Sequence, residues 1–225
     1  MKRKEVLQTG EIYHVFNKSI AGYKIFNNDG EFERIRQLLC YYRCRGAQIQ
    51  YWNFLKSANV NVQGFYKHAY TLHKEFGELV QIIAFCIMPT HIHLILKQQV
   101  NDGIRRFIGN VLNSYARFFN IKHNRKGPLW VGRFKNVRVS SDEQLLHLTR
   151  YVHLNPVTAY LVEQPEKWEF SSYQEYVNGA NIPQEKKLCA YGTFVEMKPS
   201  EYRRFVMDQK DYQRELANIK QFINQ

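Results

Sequence analysis

No stretch of the 225 residues is apolar for long enough to span a bilayer, and Met1-Lys2-Arg3-Lys4-Glu5 is not followed by the apolar core of a signal peptide. A membrane protein and a secreted one are therefore not expected, and a cytoplasmic location is. Cysteine is scarce. Cys40, Cys44, Cys86 and Cys189 show no paired metal-ligand spacing, so reduced structural thiols are expected instead of a zinc or iron–sulfur site. Internal repeats and low-complexity tracts are absent too, which excludes solenoid arrays and disordered compositional tails. What is present is a chain with 44% hydrophobic and 15% aromatic residues, enough to bury a sizeable core.

Acidic residues are the other shortage. Twenty Asp and Glu face 32 Lys and Arg, a formal charge of +12 that favours polyanionic partners. Between residues 104 and 138 there is no acid at all, while basic residues run from Arg105 and Arg106 through Arg117 and Lys122 to Arg138. Tyr115, Phe118, Phe119, Trp130 and Phe134 are interleaved with them, the mixture expected where phosphates are neutralised and unstacked bases rest on rings. Phe107, Val111, Leu112, Tyr115 and Phe118 fit a buried helical stripe and are assigned to packing, as is Trp130. Arg125, Lys126, Arg133 and Lys135 are the preferred phosphate contacts, with a solvated basic face as the alternative.

A third absence sharpens the reading of Met88-Pro89-Thr90-His91-Ile92-His93-Leu94-Ile95-Leu96. In an extended strand His91 and His93 project to one face while Ile92 points to the other, so two imidazoles can share a cation. A histidine-triad hydrolase would need a further histidine at position 95, which is Ile95. Two separated His-x-Thr/Ser motifs, the mark of another phosphodiesterase class, are also missing. A pair of satisfied polar side chains remains the competing reading.

A completion lies downstream. Gln144 to Pro156 reads as a helix, with Ser140 or Ser141 as cap, Asp142 and Glu143 in the first turn, and Pro156 as the expected stop. Leu145, Leu148 and Val152 make a buried stripe. Tyr151 and Asn155, four apart, lie one above the other, with His147 at the same spacing before them. A tyrosine and an amide oxygen so presented offer a nucleophile and a third metal ligand; a core tyrosine and a helix-ending asparagine are the alternative.

Taken together these segments resemble the single-tyrosine HUH transposases, the IS200-like enzymes and their REP-associated relatives. The resemblance runs through Gly10-Glu11-Ile12-Tyr13-His14-Val15-Phe16-Asn17, Met88 to His93, and Asn113-Ser114-Tyr115-Ala116-Arg117-Phe118-Phe119-Asn120. It continues through Gly127-Pro128-Leu129-Trp130-Val131-Gly132-Arg133-Phe134-Lys135, Tyr151 to Val157, and Trp168-Glu169-Phe170-Ser171-Ser172-Tyr173. Thr90 departs from the pattern, since such sequences commonly carry Asn or Asp there. The stretch from about 45 to 78 departs as well, being longer than the expected link.

The resemblance implies cleavage and rejoining of single-stranded or hairpin DNA through a 5′-phosphotyrosine link, as in DNA transposition. By matching positions it implies Tyr151 as nucleophile, and His91, His93 and Asn155 as ligands of a divalent metal, Mg²⁺ or Mn²⁺. His153 is the fallback metal ligand or acid/base. A non-catalytic nucleic-acid-binding protein on the same scaffold, and a phosphodiesterase using activated water, stand as alternatives. A homodimer is left open, and with it whether Tyr151 acts on its own chain's site.

Periodicity predicts strands at 11–18, 80–87, 91–98 and 133–139, and helices at 31–43, 52–57, 64–77, 103–121 and 142–155. The order β, α, β, β, α, β is that of a ferredoxin-like α+β sandwich with an antiparallel sheet, which the resemblance also implies. Residues 1–177 are expected to form the catalytic domain, with an insertion at about 45–78. Residues 178–225 are expected to form a linker around Asn178 to Pro183 and a C-terminal helical extension over Ser200 to Asn224, capped by Ser200.

Overall fold

Alternation along the first strand sets up the architecture. β1 (Ile12–Lys18) buries Tyr13, Val15 and Asn17 on one face and turns Ile12, His14 and Phe16 to the other. The computed structural model describes residues 6–215. After β1 comes α1 (Asp29–Tyr42), whose start is fixed by the Asn28 side chain accepting from the Glu31 amide. Three short helices follow, α2 (Tyr51–Leu55), α3 (Ala58–Gln63) and α4 (Phe65–Phe76). Next are β2 (Val80–Met88), β3 (His91–Gln98), α5 (Gly103–Lys122) and β4 (Lys135–Arg138). Then come α6 (Asp142–Thr158), α7 (Tyr173–Asn178) and α8 (Pro199–Met207), and after a turn at 208–209 the described chain ends in helical residues 210–215.

The four strands form one sheet in the order β2-β3-β1-β4, with every neighbouring pair antiparallel. This is the ferredoxin-like order expected from the element sequence. One apolar cluster lies between the sheet and the α1 and α5 side, where Tyr13, Val15, Phe85, Ile92 and Leu94 meet Ile35, Leu39, Phe107 and Val111. A second lies on the opposite face, where Ala84, Cys86 and Ile95 meet Leu145 and Val152 of α6 and Tyr202 and Val206 of α8. Helices therefore cover both faces, and α8 packs into the same cluster as α6. A Cβ at Gly103 would collide with the Leu79 carbonyl, so only glycine lets α5 start this close to the beginning of β2.

Several local expectations are corrected. The stretch 45–78 holds three helices; Ser57 caps the additional one, Ala58–Gln63, whose apolar residues Ala58, Val60 and Val62 alternate instead of repeating at helical spacing. β4 begins at Lys135 rather than 133. Pro156 does not stop α6, which continues to Thr158. A proline in the last turn removes only the N–H that would have reached the Val152 carbonyl, and the Ala159 amide still closes on Asn155. Ser200 is not the cap of α8; Pro199 occupies its first turn and the Glu201 carboxylate accepts from the Lys198 amide at 3.0 Å. Gly179, within the expected linker, is buried in a short 3-10 turn. The part of the expected tail helix from 216 to 224 lies outside the described residues.

Candidate active site

Pro89 and Thr90 make the two-residue turn between β2 and β3, and the register that follows places Met88 opposite His91 and Cys86 opposite His93. On the other side of β3, Lys18 pairs with His91 and Phe16 with His93. His91 and His93 therefore share one sheet face, their rings 5.0 Å apart and nearly perpendicular. His14, two residues along β1 from Phe16, reaches the same place: its Nε2 is 2.9 Å from His93 Nδ1 and the two rings stack at 5.1 Å. The other histidine has a partner of its own, with His91 Nδ1 2.9 Å from Thr90 Oγ1.

The helix α6 crosses this face. Its start is fixed by Ser141, whose hydroxyl accepts from the Gln144 amide at 3.1 Å, and its anchoring residues Leu145, Val152 and Val157 are buried. The Tyr151 ring stands edge-on to His93 at 5.7 Å and to His14 at 6.2 Å. It remains 40% exposed, so it lines the site yet stays open to a bound strand. One turn on, the Asn155 side chain is buried and donates to the Tyr151 carbonyl at 2.9 Å.

Burial dominates the electrostatics. It lowers His14 to about 4, and with Lys18 nearby it lowers His91 to about 4 as well. His93 is held well below the usual imidazole range by burial and by the charges that His91, His14 and Lys18 would present. All three rings are thus neutral at neutral pH, the state in which an imidazole has a lone pair to give a metal. The Tyr151 hydroxyl is pushed above its ordinary value by burial, against a hydrogen bond from the Asn155 side chain.

The site thus joins His91, His93 and Tyr151, with Asn155 adjoining. It does not include His153. That ring is fully buried on the far side of α6, with Nδ1 2.7 Å from the Tyr202 hydroxyl and Nε2 2.7 Å from the Ser172 hydroxyl, so both nitrogens are already used. His147 also lies elsewhere, bonded to Arg150 and packed near Phe205. His14 is the residue that local sequence reading did not single out. It lies within the Gly10 to Asn17 segment of the resemblance, but its even spacing with Phe16 and Lys18 has meaning only once β1 is known to pair with β3.

Among the expected phosphate contacts, Lys126, Arg133 and Lys135 are exposed. Arg125 is half-buried and shapes the loop after α5, donating to Asn120 Oδ1 at 3.0 Å and to the Pro128 carbonyl at 2.7 Å. Trp130 is buried, its indole N–H on the Leu112 carbonyl at 3.1 Å, in keeping with a packing role. The loop borders an open cavity of about 660 Å³ lined by Tyr23, Lys24, Phe119, His123 and Arg125.

Two neutral imidazoles on one strand have nitrogen lone pairs to offer, and the Asn155 amide, its Nδ2 on the Tyr151 carbonyl, has an oxygen to offer beside Tyr151. Among the described residues no three His, Cys, Asp or Glu side chains converge on a common point. The residues fit a cation held partly by protein and partly by substrate oxygens, and do not form a closed structural cage.

A βαββαβ sandwich with His-x-His on an inner strand and a tyrosine on the helix across from it defines the class by architecture and site. Comparison supplies a family likeness. Residues 62–155, which contain His91, His93, Tyr151 and Asn155, match the family described as IS200-like transposases, and the resemblance read from the sequence is borne out. A Haemophilus influenzae protein described as a REP-associated tyrosine transposase is 27% identical over 115 residues, 47% of this chain. The chain spans 65% of the length of that relative. The solved structure of a REP-associated tyrosine transposase bound to a REP hairpin superposes with a TM-score of 0.52 at 14% identity, covering 85% of this chain and 93% of that one, and so shares its fold. No helix among the described residues is long and apolar enough to cross a membrane.

Proposed function

We propose that the protein cuts and rejoins single-stranded DNA in transposition, with Tyr151 as nucleophile. The observation that carries this reading is the Tyr151 ring, 40% exposed and edge-on to His93 at 5.7 Å, held there by a helix seated on the sheet. The Tyr151 oxygen attacks the scissile phosphorus, the new O–P bond forms as the bond to the 3′ oxygen breaks, and that oxygen leaves as a hydroxyl after taking a proton. The tyrosine proton is lost to solvent. Covalent capture keeps the phosphoryl group activated for rejoining.

His91 and His93, with Asn155 as third donor, would hold a divalent cation, Mg²⁺ or Mn²⁺, which when bound neutralises charge at the scissile phosphate. Lys126, Arg133 and Lys135 supply phosphate contacts along the approach, and Arg125 shapes the loop that presents them. The substrate is hairpin-bearing single-stranded DNA, in line with the REP hairpin held by the solved relative. Tyr151 stands beside its own chain's His93, which favours action within one chain, so a homodimer is not required for the chemistry.

The test is a denaturing gel of protein mixed with Mn²⁺ and labelled hairpin DNA. Wild-type protein should give a covalent protein–DNA band and Tyr151→Phe none. Cleavage without an adduct would favour activated water; binding with neither would favour a non-catalytic scaffold.

A further inference from the structure

A neutral imidazole has one N–H and one lone pair, so a 2.9 Å contact between two ring nitrogens needs a donor and an acceptor. Two assignments exist for His14 and His93. If His14 Nε2 donates, His93 Nδ1 accepts, the His93 proton sits on Nε2, and that ring has no lone pair left. If His93 Nδ1 donates to His14 Nε2, the His93 Nε2 lone pair is free. The same alternative holds at His91, whose Nδ1 meets the Thr90 hydroxyl, a group able to donate or accept. Among the described residues no three His, Cys, Asp or Glu side chains are placed to hold a metal ion together, and His14 Nε2 is already engaged at His93 Nδ1.

We propose that His14 and Thr90 are positioning residues, acceptors that fix His93 and His91 in the Nδ1–H form and so aim both Nε2 lone pairs at one cation. The proposal rests on the metal-dependent function proposed for this site. Its support is geometric. Each histidine of the pair has one partner at Nδ1, supplied by a different element, β1 for His93 and the β2–β3 turn for His91. Ligating histidines generally give their second N–H to such an acceptor, which sets tautomer and ring orientation and raises ligand basicity. Thr90 thereby does from the turn what His14 does from the neighbouring strand.

Two measurements on the full chain decide it. In the metal-free, ¹⁵N-labelled protein, long-range ¹H–¹⁵N correlation should show His91 and His93 as Nδ1–H. His14→Ala should release His93 into a tautomer mixture, and His14→Gln, whose carbonyl can accept, should restore the Nδ1–H form. Mn²⁺ affinity followed by electron paramagnetic resonance should fall about 10- to 100-fold in His14→Ala and recover most of that in His14→Gln. Thr90→Val should weaken Mn²⁺ and Thr90→Ser should not. Circular dichroism confirms that each variant is folded. An Nε2–H His93 in wild-type protein, or unchanged Mn²⁺ affinity in folded His14→Ala, overturns the proposal. Wild-type protein that binds no Mn²⁺ overturns the metal reading, while the tautomers of the metal-free protein still decide whether His14 and Thr90 fix the two rings.

Discussion

Glu31 offers a test of how the basic loop is anchored. Its carboxylate is fully buried at the start of α1, with Lys122 Nζ at 2.8 Å, His123 Nε2 at 2.7 Å, the Asn27 amide at 2.8 Å and Asn27 Nδ2 at 3.0 Å. Burial alone would raise its pKa, but hydrogen bonds from Lys122, Asn27 and His123 outweigh it and hold the group at about 2. A folded-state value below the unfolded one means stability that is present in full above the unfolded value, near 4.5, and is lost as pH falls toward 2. The unscreened ceiling is about 3 kcal/mol. Lys122 and His123 are 38% and 37% exposed, so screening brings the expected contribution to about 1–2 kcal/mol. Urea denaturation of wild-type protein and Glu31→Gln at pH 7, 4.5 and 3 reads this directly. The variant should be less stable by that amount at pH 7, with the gap narrowing below pH 4.5 and closing toward pH 2. A gap that stays constant from pH 7 to pH 3 would refute the argument, since the loss would then come from packing and not from charge.

His91→Ala should cost about 3 kcal/mol or more of transition-state stabilisation, hence at least a ~100-fold fall in cleavage rate, while DNA affinity by filter binding falls much less; equal losses would point to misfolding. Replacing Lys126, Arg133 and Lys135 by alanine should reduce the slope of log affinity against log salt by about 0.7 for each phosphate of single-stranded DNA that is no longer neutralised. An unchanged slope would place the strand elsewhere. Tyr202→Phe keeps the ring but leaves His153 Nδ1 without its 2.7 Å partner, and should lower stability by about 1–2 kcal/mol in urea titration. No change would mean that α8 is not held to α6 by this hydrogen bond.

Local periodicity carried much of the fold. The strands around Ile82 and Leu94, the stripe from Phe107 to Tyr115 and the helix bearing Tyr151 all follow from spacing that repeats within a few residues, although the stripe ends on Phe119 and not on the expected Phe118. His91 with His93, and Tyr151 with Asn155, were legible for the same reason, one pair through strand alternation and the other through helical stacking. His14 was not, because its place beside His93 depends on the register of β1 against β3, which joins residues 79 apart. Pro156 misled because a proline's effect depends on which carbonyl it deprives, and in a last turn that is a single group. The helix Ala58–Gln63 was invisible because its apolar residues alternate at period two while its start is set by a serine cap.

The two borders of the sheet are finished differently, and this limits how copies of the chain can meet. Along β2, the returning chain already occupies the outer hydrogen-bonding groups: Ile87 donates to the Phe170 carbonyl, and Ser172 and Ala190 donate to the carbonyls of Phe85 and Ile82, each at 2.9 Å. On the opposite border β4 is the outermost strand and only four residues long, with Lys135 at one end and Arg138, held to Glu11 at 2.8 Å, at the other. A strand this short, ending in charged side chains, is a poor template for pairing with a second copy. Sheet extension is thus closed along β2 by the returning chain and left at β4 with only a short, charged strand.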